Sequence, residues 1–230
     1  MEPVDPIKKI VANQLFLDRL PRETRDAFLI CIELPFFLKT DWYLAGGTAL
    51  ALQIGHRQSV DLDFFTTQSK FQELAVEREL LATNYWRTNY REEGTIYGTL
   101  KDAKVSFIAY PFFKPSAQKL LCGTISILLP EDVAVMKIIS MSQRGRKRDF
   151  IDLYWYCLNR EPLIAIIQRV IKQYPGQENN LSHIIKSLAY FADAEADPMP
   201  KLFFEVDWKS VKKFFQQEAV RLAQEFLGAK

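Results

Sequence analysis

Histidine is nearly absent from this chain of 230 residues: there are two, His56 and His183. Neither stands at metal-type spacing from the other or from a cysteine, and both read as polar surface residues. Cysteine is as scarce. Cys31, Cys122 and Cys157 are scattered, odd in number and form no CxxC. That argues against a disulfide framework or a zinc site and predicts reduced thiols in a cytoplasmic protein. An excess of charge is also missing. Thirty basic residues against 28 acidic ones leave +2, so there is no global cationic field, and nucleic-acid contact must come from a local cluster. The opening MEPVDPIKK lacks the apolar stretch of a signal peptide. The most apolar run, 28–38, is broken by Glu33 and Pro35. No span approaches the roughly 20 residues of a membrane helix, so no membrane partner is expected. The P-loop, GxGxxG, GxSxG and HExxH patterns do not occur, nor does any internal repeat.

What is present is enough to fill a real core: 48% apolar residues, with four Trp, nine Tyr and 17 Phe. The stretch 42–65, WYLAGGTALALQIGHRQSVDLDFF, organises the rest. An apolar run meets Gly46-Gly47-Thr48, a short helical pattern follows, and a polar turn leads to an alternating segment that reads as a strand. On a strand, residues two apart share a face. Asp61 and Asp63 therefore point one way, roughly 6–7 Å apart at the backbone, and Leu62 and Phe64 the other. Such a pair of carboxylates suits a hard divalent cation. Glycines at a strand-to-helix turn let backbone N–H groups approach a phosphate; the same residues also fit a tight turn with Thr48 as N-cap. Arg57 and Ser59, just before the acidic strand, fit either a phosphate clamp or an ion pair with Asp61 or Asp63.

Around this stretch the periodicity predicts helices over 5–20, 22–38 (kinked or shortened by Pro35) and 69–82. It predicts strands near 84–91, 94–101, 103–110 and 124–129, with turns at Gly94 and Lys101-Asp102. Residues 111–123 read as an irregular connection. From Pro130 the pattern is helical: 130–143, 148–158, 162–174, 179–192 and 207–227, with 192–200 as a loop. Strand runs followed by helix runs predict an α+β fold. Residues 1–129 form a mixed sheet flanked by helices, and residues 130–230 form a helical region completing the crevice of the site.

Within that region Lys137 lies among apolar helix residues and needs a partner, either a phosphate or an acid such as Asp149. Asp149, Asp152 and Tyr156 follow at helical spacing on the next helix. The RGRKR segment, which includes Arg144 and Arg148, fits either a solvated basic turn or a contact with phosphates of a nucleotide or RNA. The run Tyr154-Trp155-Tyr156 reads as core.

Three segments, LAGGTALAL, RQSVDLDFF and PEDVAVMKIISMSQRGRKRDFIDLYW, together resemble the AbiEii/AbiGii family of nucleotidyltransferase-like toxins, within the polymerase-β-type superfamily. The resemblance covers most of 25–160 in order and spacing. It implies a minimal nucleotidyltransferase core followed by a helical region, with an NTP and Mg²⁺ (or Mn²⁺) as ligands. It implies transfer of NMP to RNA, tRNA first, or to a protein, by a toxin of a toxin–antitoxin or abortive-infection system with a cognate antitoxin. The family's glycine motif falls on Gly46, Gly47 and Thr48. Its metal ligands fall on Asp61 and Asp63, and its later lysine and acid on Lys137 and Asp149. One departure stands out. Where the superfamily usually places a third carboxylate, this chain has Ser106, a poor base and a weak Mg²⁺ ligand. The alternative expectation is a catalytically weak nucleotide- or RNA-binding module on the same fold.

Overall fold

The computed structural model describes residues 7–116 and 118–228. The chain divides into two compact units, Met1–Pro130 and Glu131–Lys230.

The first unit is built on a mixed sheet. In chain order its elements are β1 (Ile7–Ile10), α1 (Arg22–Cys31), β2 (Tyr43–Ala45), α2 (Gly46–Ile54), β3 (Asp61–Thr66), α3 (Glu73–Leu81), β4 (Trp86–Glu92), β5 (Thr95–Leu100), β6 (Ala103–Ala109), β7 (Lys119–Cys122) and β8 (Ile125–Leu128). The strands lie in the order β1-β7-β8-β2-β3-β6-β5-β4. β3 sits near the middle, antiparallel to β2 and parallel to β6. Its burial alternates along its length. Leu62 and Phe64 enter the core, where Phe64 stacks on Phe107 of β6 at 5.1 Å between ring centroids. Phe37 and Trp42 close on the same cluster. Each fully buried ring of this kind contributes about 1.5–3 kcal/mol by leaving water. The other face of β3 carries the two aspartates.

Short turns fix the strands on that side. Lys101 and Asp102 take φ of 50° and 68° between β5 and β6, and Gly94 takes 74° between β4 and β5. Left-handed residues of this kind give hairpin loops whose twist matches the flanking strands.

The N-terminal stretch corrects the sequence-based expectation. In place of a helix over 5–20 there is β1, followed by 3-10 turns at Ala12–Gln14 and Leu17–Arg19. β1 lies parallel to β7, Ile7 beside Lys119, and β7 itself falls within the stretch expected to be irregular. Each strand exists because the other satisfies its backbone groups, a pairing no local period reveals. α1 ends at Cys31, and Pro35 opens a 3-10 turn, Pro35–Lys39. On α1 Phe28 is buried and Leu29 faces out.

The second unit is helical: α4 (Pro130–Arg144), α5 (Lys147–Asn159), α6 (Leu163–Gln173), α7 (Leu181–Ser187), α8 (Ala192–Glu195) and α9 (Trp208–Leu227). α4 begins at the last residue of the first unit. Phe150 packs against Phe191, Trp208 and Phe215 at the centre of the unit. α9 is capped by Asp207, whose carboxylate accepts from the Ser210 N–H at 2.6 Å. The expected helix over 179–192 is shorter here, and α8 adds one turn where a loop was predicted. No helix among the described residues is long and apolar enough to cross a membrane.

Candidate functional site

α2 starts directly at the end of β2, with Ala45 in the capping position and no side chain capping the first turn. The helix's first N–H groups therefore carry uncompensated partial positive charge. Ala45 stands opposite Asp63 in the β2–β3 register, so this helix start lies alongside the second acid. Two glycines make that approach close. Gly46 has φ of 67°, and a Cβ there would come within 3.2 Å of Asp63 Oδ2. A Cβ on Gly47 would collide with the Arg57 guanidinium.

The residues around this corner divide by role. Thr48 is not the N-cap. It is buried, and its hydroxyl bonds the Ser59 hydroxyl at 2.9 Å and the Asp61 carbonyl oxygen. Thr48 and Ser59 thus pin α2 to the start of β3. Arg57 is buried with Nη1 donating to the Gln58 carbonyl at 2.8 Å. His56, expected on the surface, is buried in the same turn at 2% exposure. The turn 55–59 is largely buried, with Arg57 and Ser59 packed against Gly47. His183 is exposed as expected, with Nε2 at 2.9 Å from the Ser142 carbonyl.

On the other flank of β3, Ser106 stands abreast of Asp63 in the parallel β3–β6 register and donates to its Oδ1 at 2.7 Å. A pocket of about 270 Å³ opens here, lined by Asp61, Asp63, Ser106, Lys104, Asn89 and Tyr97. The last three were not singled out from the sequence. Lys104 was within reach, because it lies two residues before Ser106 and so shares its face. Asn89 was not: it is the extra residue where the β4–β5 register slips between Thr88 and Tyr90.

Asp61 and Asp63 are half-buried, share one face and border this pocket. That fits Mg²⁺ or Mn²⁺, which keeps several waters and takes one or two carboxylates together with substrate phosphates. Among the described residues, no set of three or more His, Cys, Asp or Glu forms a closed cage. The donor set therefore suits a cation that arrives with a phosphate-bearing ligand and not a dedicated structural metal.

In the second unit Lys137 is buried on α4, and its Nζ meets two acids of α5: Asp149 Oδ1 at 2.6 Å and Asp152 Oδ2 at 2.8 Å. All three side chains are almost sealed from water. Tyr156, on the same face by spacing, does not join them. It donates to Glu161 at 2.8 Å, and Arg169 completes that separate group. Burial, with Glu161 beside it, pushes the Tyr156 phenol well above its usual range. Arg144 and Arg148 are exposed, as a phosphate contact requires. Lys147 between them is structural: it is buried, and its Nζ is held by the Glu195 carbonyl at 3.3 Å and by the Asp197 carbonyl.

Comparison with known proteins adds three findings. The family model for the nucleotidyl transferase AbiEii toxin of type IV toxin–antitoxin systems matches residues 33–226. An uncharacterised protein of Aquifex aeolicus (strain VF5) is 34% identical over 205 residues, covering 87% of this chain and 96% of that one. Among solved structures, a candidate nucleotidyltransferase from H. pylori superposes with a TM-score of 0.52 at 16% identity, covering 91% of this chain and 99% of the other. MenT4, a nucleotidyltransferase toxin from Mycobacterium tuberculosis H37Rv, has a TM-score of 0.52 at 14% identity, covering 88% and 86%. At these identities the two structures establish a shared fold.

Proposed function

The chain belongs to the AbiEii family of nucleotidyl transferase toxins, and from that premise we propose that it is a metal-dependent nucleotidyltransferase transferring NMP from an NTP to an acceptor hydroxyl. The acceptor class we favour is RNA, tRNA first. The observation that carries the reading is the juxtaposition of the Asp61–Asp63 face with an uncapped helix start cleared by two glycines.

Asp61 and Asp63 would hold Mg²⁺ or Mn²⁺, which when bound neutralises phosphate charge and aligns the attacking and leaving oxygens. The N–H groups at Gly46 and Gly47 receive a phosphate of the NTP, supported by the Arg57 guanidinium beside Gly47. Thr48 and Ser59 fix that corner without needing to touch substrate. The acceptor oxygen bonds to the α-phosphorus, the bond from that phosphorus to the bridging oxygen breaks, and pyrophosphate leaves. The acceptor's proton passes to water or another solvent base, because Ser106 has no useful basicity at neutral pH. Lys137, on which the resemblance places the family's later lysine, is offered as a stabiliser of triphosphate charge acting from its buried pair with Asp149 and Asp152. The 2.6 Å contact of Asp149 favours holding that lysine over activating the acceptor. Arg144 and Arg148 are offered as phosphate contacts of the acceptor.

Incubation with labelled NTPs, total RNA and Mg²⁺ tests this. Label should enter RNA with wild-type protein and fall at least 10²-fold with Asp63→Asn. Equal incorporation by the two, or none under any divalent ion, sinks the reading.

A second reading, a binding module with little turnover, is favoured by Ser106, which on the family resemblance takes the place of a third carboxylate. NTP binding that needs Asp63, without any label transfer, would support it. As a toxin the protein should have a cognate antitoxin. Growth arrest on expression, relieved by the product of a neighbouring reading frame and absent with Asp63→Asn, is the expected signature.

A further inference from the structure

The acid face of the sheet extends well past the aspartates. The residues abreast of Asp63 run Ser106 on β6, Tyr97 on β5 and Tyr90 on β4. Side chains abreast on adjacent strands point to the same side. Tyr97 and Tyr90 are both exposed, and their rings stack with centroids 6.2 Å apart and planes 28° from parallel. The next row starts at Asp61 and runs through Lys104 and Thr99 to Arg87, adding two exposed cations to this face. Between the rows lies Asn89 at the register slip. A bulge re-aims a side chain, and here Asn89 lines the pocket beside Tyr97.

Stacked aromatic faces, a re-aimed amide and flanking cations are the chemistry that takes up an unpaired nucleotide: ring for base, amide for base edge, ammonium for phosphate. The position on the sheet assigns which nucleotide. The helix start and glycines lie on the β2 side of Asp63, and this platform lies on the β6 side. In-line transfer requires the attacking oxygen and the pyrophosphate to stand on opposite sides of the α-phosphorus. If the glycine side takes the triphosphate, the β6 side faces the acceptor.

We infer that the β4–β6 platform of Tyr97, Tyr90, Asn89 and Lys104 binds the single-stranded 3′ end of an RNA acceptor, with its terminal base stacked on Tyr97. This rests on the transferase reading for the direction of approach. Its own content is an RNA-binding surface distinct from the NTP corner.

The test uses the full chain and a fluorescently labelled single-stranded oligoribonucleotide with a free 3′ hydroxyl, followed by anisotropy. NTP binding in Mg²⁺ is measured in parallel by calorimetry. Tyr97→Ala should weaken RNA binding about tenfold, the size of one base–aromatic stack. NTP affinity should stay within about twofold. Tyr97→Phe should bind RNA like wild type, and Lys104→Ala should lower the salt dependence of RNA binding by about one phosphate contact. Unchanged RNA affinity in Tyr97→Ala, a loss of NTP affinity in its place, or a wild-type protein that labels protein and has no affinity for RNA each overturns the inference. Tyr97-dependent RNA binding with no label transfer would uphold the platform and remove the transferase reading. Transfer to RNA that is indifferent to Tyr97 would do the reverse.

Discussion

At the scale of single residues, the most sensitive position is Gly46. Its left-handed backbone costs a side-chain-bearing residue about 1–2 kcal/mol, and the added Cβ would press on Asp63. Gly46→Ala should lower the melting temperature by only a few degrees, yet reduce transfer about 10²-fold, the cost of misplacing a reacting group by about an ångström. Lys137 behaves differently. Removing it leaves Asp149 and Asp152 buried with their shared cation gone, so Lys137→Ala should lose about 3–5 kcal/mol of stability, read by urea denaturation. Its inactivity would therefore say little about catalysis unless folding is measured alongside. Burial also pushes the thiols up, Cys31 to about 12 and Cys122 and Cys157 in the same direction. Native protein should resist thiol reagents at pH 8. The folded form keeps the Cys31 proton while the unfolded chain releases it, so stability is unaffected below the unfolded value near 9.0 and falls as pH climbs from there toward about 12. Denaturant titrations at pH 8 and pH 11 check the sign.

At the scale of elements, the sequence carried the site's strand well and its surroundings unevenly. Period two in DLDFF put the acids on one face, and the family resemblance picked out Ser106, which the structure sets abreast of Asp63. The cost of burying a lysine pointed to a phosphate or an acid as the partner of Lys137, and two acids meet it. Long-range pairing was hidden. β1 and β7 carry no signal apart from each other, and the spacing of Ile7, Ile10, Val11, Leu15, Leu17 and Leu20 mimicked a helix. Burial of polar residues was hidden too: His56, Arg57, Thr48 and Ser59 read as solvent-facing or ligand-facing, and they pack the turn that holds the site. The last helix was read over 207–227, and the structure makes Asp207 its cap ahead of the buried positions Val211, Phe215, Ala219 and Leu222. Asp207→Ala should destabilise the last helix slightly by removing its cap, measured as a shift in the denaturation midpoint with unchanged slope.

At the scale of the whole molecule, family and fold were readable because three short segments agree in order and spacing, though none decides alone. The acceptor was not readable, since recognition surfaces such as the β4–β6 platform depend on a register slip. The hydrogen bond from Ser106 to Asp63 has a consequence at this scale. Ser106→Asp would place three carboxylates on one small patch of sheet. With no cation to separate them their repulsion would weaken the native state, and a bound cation would restore it by mass action. The substituted protein should melt lower than wild type in chelator and recover with added Mg²⁺ or Mn²⁺. The midpoint would then track the logarithm of metal concentration, and the fold would serve as its own indicator dye for the ion.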